Sequence, residues 1–403
     1  MDTTVTEGQL SGFRQGTVTA FLGVPYAAPP ERFRPAQPPE PWSGVRDATQ
    51  VGPAAPQPRS RLAHVMGDRT LDQSEDCLTL NVWTPGGASK PVLVFLHGGG
   101  FTSGSGGLDW YNGAELASRG DIVVVTVNYR LGVLGFLRLD EGNLGVRDQI
   151  QALRWVRDNI AAFGGDPAAV TVAGQSAGAI SIVTMLSGTR GLFHQAILQS
   201  TPGIWPQTAE EADARVGELV NVLGVQRDRL RDLPVPELLD AQQEVSRRNA
   251  PKLGPTPAFQ LVAEGTVADD PIAAAGACGV PVLIGTTRDE ASAFHLDATV
   301  TESLFREPAA RLAKLLARHG NPAWTYQFDW SPPGSPFGAC HCIELPFVLG
   351  NLDAWRDAPM LANASPTTLR ALVDIVQPRW IAFVRTGDPG WSHQEPVHLS
   401  TKD

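Results

Sequence analysis

The chain has 403 residues, 42% hydrophobic and 18% charged, with a mean hydropathy of −0.09, which suffices for a large buried core. Its net charge of −10 and pI of about 5.3 argue against nucleic acid or an anionic membrane as partner. Four cysteines make no disulfide framework, no run matches a membrane span, and MDTTVTEGQLSGFRQG has no signal-peptide pattern, so a soluble cytoplasmic protein with reduced thiols is expected.

Taken in chain order, residues 24–58 are Pro-rich and read as ordered surface loop. After them come the Val-, Ile- and Leu-rich runs of buried strands: PVLVFLH (91–97), DIVVVTVNY (121–129), AVTVAGQ (169–175), HQAILQS (194–200), VPVLIGT (280–286) and AWTYQFDW (323–330). Helical patterns lie between them. The clearest is 143–164, with Ile150, Leu153, Val156 and Ile160 on one face and GGDP as its stop. Others follow Ser176 and span 209–223, 235–249, 302–318 and 366–386, the last interrupted by Pro378. Strands alternating with helices predict the α/β class: a mostly parallel, twisted sheet with helices on both faces. The whole chain, 1–403, reads as one such domain, with 205–275 and 291–322 as helical cap or pocket segments.

The chemistry centres on TVAGQSAGA (171–179), where a strand runs through Gly174-Gln175-Ser176-Ala177-Gly178 into a helix. A nucleophile elbow requires that arrangement, because only very small neighbours let strand and helix pass so closely around a serine. The bare pattern is weak, since a chain with 41 glycines meets it by chance roughly 0.2 times. Its position between a Val-rich strand and a helix is what gives it weight. A second glycine run, FLHGGGF (95–101), follows another strand and permits backbone N–H groups to converge on one oxygen. Gly99 and Gly100, with Ala177 just after the serine, are the candidate oxyanion-hole donors. In this architecture the acid and then the histidine follow the serine in sequence. The strand 280–286 ends in TRDEAS, which offers Asp289 or Glu290, and the loop after 323–330 carries His341.

His341 stands between Cys340 and Cys342, a pattern that invites a metal reading. Zinc sites want paired thiolates, and Cys77 and Cys278 are isolated, so no metal and no cofactor is expected; Cys340 and Cys342 read as small buried hydrophobes.

With these residues in place, the chain resembles the type-B carboxylesterases, the family of bacterial p-nitrobenzyl esterases and, more distantly, the cholinesterases. The resemblance rests on FLGVPYAAPP with ERF (21–33), EDCLTLNVWTP (75–85), FLHGGGF, NYRLGVLGFL (128–137), GNLGVRDQ (142–149), FGGDPAAVTVAGQSAGAIS (163–181), FHQAILQS (193–200), GTTRDEAS (285–292), HCIELPFVLGN (341–351) and FVRTGDP (383–389). It implies the α/β-hydrolase fold, Ser176 as nucleophile, Glu290 rather than Asp289 as acid, and His341 as base. It also implies that Ser200 supports the acid and that Arg32 and Glu75 form a structural ion pair. The family's cysteine partner for Cys77 is missing from GPAAPQ (52–57), and the choline-binding aromatic is missing from the stretch before Cys77, which sets the cholinesterases aside. The family pattern has a longer segment than the one between Glu290 and His341, so cover over the pocket is expected to be reduced. Cys342 and Ala291 stand where the family usually has smaller residues.

The implied reaction is hydrolysis of a small-molecule ester through an acyl-enzyme, on small uncharged esters with short to medium acyl chains, by a monomer. Phe101, Trp205 and Phe294 are candidate pocket walls. Two alternatives stand beside it: amide or carbamate hydrolysis on the same triad, and a non-catalytic binding module of the same fold.

Overall fold

The computed structural model describes residues 1–401 other than 190, 204, 254, 255 and 394. Among these residues thirteen strands follow in chain order: β1 (Asp2–Val5), β2 (Gly8–Ser11), β3 (Phe13–Gln15), β4 (Val18–Pro25), β5 (Val45–Asp47), β6 (Thr79–Thr84), β7 (Lys90–Leu96), β8 (Val123–Val127), β9 (Gly165–Gln175), β10 (Gln195–Gln199), β11 (Val282–Thr287), β12 (Ala323–Phe328) and β13 (Val397–Leu399). Strands β1, β2 and β5 form a small separate sheet. The other ten form one large sheet in the order β13-β12-β11-β10-β9-β7-β8-β6-β4-β3. Pairings from β8 to β13 are parallel, while β3, β4 and β6 join antiparallel at the other edge.

The central strands show why the sequence reads as it does. Val92, Val94 and Leu96 of β7, with Val123, Val125 and Val127 of β8, lie in one core cluster; Leu93, Phe95 and Val124 lie in a second, on the opposite face of the sheet. Side chains alternate across a strand, so a strand covered on both faces must be apolar at every position. The helix Leu144–Asn159 buries Ile150, Leu153 and Val156 against the sheet, and after a 3-10 turn the chain reverses at Gly164, whose φ of 83° suits glycine. Helix Ala209–Leu223 begins with a full capping box, Thr208 and Glu211 each bonding the other's backbone N–H.

Three readings need adjustment. Strand β4 runs into the start of FLGVPYAAPP and β6 lies within EDCLTLNVWTP, motifs whose strand character the pattern alone did not reveal. Helix Val235–Leu253 runs further than 235–249, and part of the 205–275 segment, residues 254 and 255, lies outside the described residues. Helix Pro366–Thr386 is not interrupted at Pro378 but continues through it. Leu372, Val373 and Val376 before the proline and Trp380, Phe383 and Val384 after it are buried in one cluster, and that burial outweighs the missing backbone bond.

The parallel strands end level with one another. Leu96 pairs with Gly174, Gln175 with Gln199, and Gln199 with Gly285, so the loops after β7, β9, β10 and β11 open on one rim. That rim, outside the carboxyl ends of the strands, is where α/β sheets carry their sites.

Candidate active site

Strand β9 delivers Gln175 to the rim, and Ser176 follows in a conformation with φ 56° and ψ −119°, foreign to most L-residues. The turn is held by its neighbours: Ser176 N–H donates to Gln199 O at 2.9 Å, and the helix Ala177–Gly188 starts at once. A Cβ on Gly178 would stand 2.1 Å from Leu96 O, and one on Gly174 would stand 2.6 Å from the Gly178 carbonyl carbon. Both glycines are therefore imposed by the close approach of strand, turn and helix, the requirement inferred from GQSAG.

The glycine turn after β7 stands opposite. Gly99 and Gly100 have φ of 118° and 61°, and Gly98 packs so closely on the elbow that a Cβ there would be 2.4 Å from Gln175 Oε1. Among the described residues no protein acceptor meets the N–H groups of Gly99, Gly100 or Ala177, and all three residues line one cleft. His97 fixes the start of this turn. It is fully buried, stacks on Tyr129 at 4.3 Å and accepts support from the Tyr129 hydroxyl, which donates to His97 O at 2.6 Å. Burial lowers the His97 pKa to about 4, so its ring is neutral.

Glu290 and His341 come from opposite loops and meet in the core. His341 Nδ1 lies 2.5 Å from Glu290 Oε2, with both side chains almost wholly buried, and Glu290 Oε1 accepts the Thr287 N–H at 2.8 Å. Asp289, the other candidate, is taken up by Arg288 at 2.8 Å and by the Ala339 N–H at 2.8 Å. Phe294 and Phe305 each tilt against the imidazole at 5.2 Å. With the Nδ1 proton shared with Glu290, Nε2 is left as an acceptor, and the Gln175 amide nitrogen meets it at 3.0 Å. Ser176, His341 and the glycine turn all border the same cleft of about 340 Å³.

The remaining predicted residues divide. Phe294 lines the cleft, whereas Phe101 is buried against Phe136 at 4.6 Å and Trp205 is 52% exposed under the Arg311 guanidinium; neither of these two borders the cleft. An aromatic after a glycine turn can face either way, and Phe101, at φ 60°, turns inward. Ser200 is buried at the end of β10, and among the described residues its Oγ has no hydrogen-bond partner, Glu290 included. Arg32 and Glu75 pair through two hydrogen bonds of 2.6 Å. The four cysteines are free, and among the described residues no group of His, Cys, Asp and Glu could hold a metal. Cys342 has φ of 77°, the left-handed region that glycine prefers.

Sequence reasoning missed three neighbours. Gln175 was visible only as the variable position inside GQSAG. Glu344, in CIELPFVL, is fully buried; its Oε1 accepts from Gln199 at 3.1 Å while Oε2 has no partner among the described residues. Desolvation, reinforced by the Glu290 carboxylate, raises its pKa to about 7. A lone glutamate inside an apolar run was the available signal. Arg61, on the loop before the short helix Ala63–Met66, also borders the cleft, and nothing in its sequence context marks it.

The model of the carboxylesterase family matches residues 2–299 and 293–402. The chain belongs to the carboxylesterase family. Among its relatives are phenmedipham hydrolase of Pseudarthrobacter oxydans, 39% identical over 95% of this chain and 90% of that protein, and para-nitrobenzyl esterase of Bacillus subtilis, 38% identical over 95% and 89%. A solved PNB esterase structure superposes with a TM-score of 0.89 at 34% identity, covering 99% of this chain and 96% of that one. The fold is thus that of the α/β hydrolases, and the protein is a serine carboxylic-ester hydrolase. The two matched stretches of this carboxylesterase meet at 293–299, directly after Glu290. No helix among its described residues is long and apolar enough to cross a membrane.

Proposed function

We propose that Ser176 attacks the ester carbonyl, His341 takes its proton, Glu290 orients and stabilises the imidazole, and the N–H groups of Gly99, Gly100 and Ala177 receive the oxyanion. The observation that carries this reading is the buried 2.5 Å contact from His341 Nδ1 to Glu290, which leaves Nε2 as an acceptor beside the elbow. In the resting geometry that nitrogen is engaged by Gln175 at 3.0 Å, so the amide releases it when substrate enters and the Ser176 hydroxyl turns toward His341. His341 then passes the proton to the leaving alcohol, and water, activated by the same base, frees the acyl group.

The cleft supports a substrate with an apolar, uncharged portion of short to medium length. Leu62, Met66, Ile180, Phe294 and Phe305 supply its apolar surface. The meeting of the two matched stretches just after Glu290 supports a cap shortened there, between 291 and 322, with the helices within 205–275 as the remaining cover. Hydrolysis of carbamates or amides on the same triad is the second reading, favoured by the similarity to phenmedipham hydrolase. A monomer in a reducing cytoplasm completes this reading, the four cysteines being free thiols.

The test is hydrolysis of p-nitrophenyl esters from acetate to palmitate beside matched carbamates and anilides. The expected outcome is a maximum at short to medium chains, with kcat reduced at least about 10³-fold in Ser176→Ala and in His341→Ala. Undiminished turnover in either variant would remove the triad assignment, and faster carbamate turnover would replace the ester reading.

A further inference from the structure

After Glu290 the chain passes through helix Ala298–Thr301, a single π-helical turn Glu302–Arg306 and helix Glu307–Arg318 without a break. In the π turn the Glu307 N–H bonds the Glu302 carbonyl, five residues back. That extra residue rotates the side chains before it by about 100° against those after it. The consequence falls on Phe305. At a spacing of i, i+7 and i+11, Phe305, Leu312 and Leu316 would share one face of a continuous α-helix. Leu312 and Leu316 pack in a core cluster of the sheet, whereas Phe305, only 1% exposed, belongs to neither core cluster. It lines the cleft instead, and among the described residues its ring contact is with His341, at 5.2 Å.

The turn is clamped along its length. The Ala291 N–H donates to Thr301 Oγ1 at 3.0 Å before it, the Gly203 N–H to Leu304 O at 2.7 Å within it, and Arg306 Nη2 to Arg288 O at 2.7 Å at its end. Two of these bonds reach the residues flanking Asp289 and Glu290, and the third reaches the loop after β10, so Phe305 is fixed relative to the triad. The lining of the cleft is of two kinds. Ile180, Pro202 and Phe305 are buried and apolar, whereas Arg59, Asp68, Arg69 and Thr70 are exposed and polar. The order of acyl-enzyme chemistry sorts the two halves of an ester between them. The alcohol leaves first, and water must reach His341 by the path it vacates, so the alcohol half belongs with the solvated lining. The acyl half stays on Ser176 through both steps and belongs with the buried one.

Resting on the ester-hydrolase reading, we propose that Phe305, set by the π turn, is a specificity-determining residue that closes the acyl end of the cleft and so limits the length of acyl chain the site accepts. The substrate class is then an ester with an unbranched, apolar acyl chain that ends at the Phe305 ring, while the alcohol half, bound at the solvated lining, is free to vary in length.

The test compares 4-nitrophenyl octanoate with 4-nitrophenyl butanoate in the wild type, Phe305→Ala, Phe305→Leu and Phe305→Trp, each checked for folding by its melting temperature. The octanoate-to-butanoate ratio of kcat/KM is expected to rise about tenfold in Phe305→Ala, the gain of roughly two further buried methylenes, to rise less in Phe305→Leu and to fall in Phe305→Trp. A ratio within about twofold of the wild type in both smaller variants overturns the proposal. So does an equal loss on both esters, which would leave Phe305 as a support for His341 alone. Hexyl and ethyl butanoate vary the alcohol half instead, and their ratio is expected to stay unchanged; a larger shift there than in the acyl series overturns the assignment of Phe305 to the acyl end. Should the wild type hydrolyse none of these esters, the hydrolase reading fails by itself, and calorimetric titration of Ser176→Ala with the two nitrophenyl esters decides. An octanoate-to-butanoate affinity ratio that rises about tenfold when Phe305→Ala is added supports the proposal, and an unchanged ratio overturns it.

Discussion

Glu344 shows how one buried side chain sets a pH dependence. Its carboxyl is held up near 7 by desolvation and by Glu290, well above the ordinary value of 4.5. Between those two values the folded protein binds more protons than the unfolded chain, so this group's contribution to stability declines as pH rises through that window. The difference is on the order of 3 kcal/mol by pH 8. His97 acts in the opposite sense: with its pKa lowered to about 4, it favours folding as pH rises from 4 towards 6.5. Glu344→Gln keeps an acceptor for Gln199 and removes the charge. Its urea-unfolding free energy should exceed that of the wild type at pH 8, with the difference shrinking towards pH 5; a constant difference would mean that Glu344 does not titrate in this window. Cys342 illustrates a different tension: a thiol occupies a backbone position suited to glycine, and its burial raises the thiol pKa, which leaves it an unreactive filler beside His341.

Among the elements, the strand–turn–helix around Ser176 stores strain for function. A serine at φ 56° and ψ −119° costs about 1–3 kcal/mol and persists because Gly174 and Gly178 let the flanking strand and helix clamp it. Ser176→Gly and Ser176→Ala should both be inactive. The glycine variant should be the more stable by about 1 kcal/mol, because it accepts the backbone geometry that alanine must still be forced into. Equal urea midpoints would show that the turn is unstrained. Helix Pro366–Thr386 makes the complementary point: local propensity stops a helix at Pro378, and a row of buried side chains on either side carries it through.

At the scale of the whole molecule, distant segments are tied by a buried ion pair. Arg130, after β8, grips Asp148 of helix Leu144–Asn159 through contacts of 2.8 and 2.6 Å, and reaches the N-terminal loop at Arg34 O, 2.7 Å away. Both partners are almost fully buried. Asp148→Asn should destabilise by about 3–5 kcal/mol, since it leaves the guanidinium without its countercharge, and adding Arg130→Met should recover part of that loss. Unfolding free energies that add independently would show that the pair does not act as a unit.

The α/β class, the central strands and the elbow are legible in the sequence because each depends on local rules: apolar residues at every position of strands covered on both sides, and glycines wherever backbones nearly touch. GQSAG and HGGG were legible for that reason, and the order of serine, acid and histidine narrowed the rest. Pattern alone leaves Asp289 and Glu290 alike and the family resemblance favours Glu290; the contacts agree in that Glu290 reaches His341 and Asp289 reaches Arg288. Only the tertiary structure turned Phe101 into the core, put Trp205 at the surface, brought Gln175 and Arg61 to the cleft, and buried Glu344 against Gln199. Those facts depend on which residues far apart in sequence become neighbours, and that is fixed by the packing of the sheet's loops rather than by any pattern along the chain.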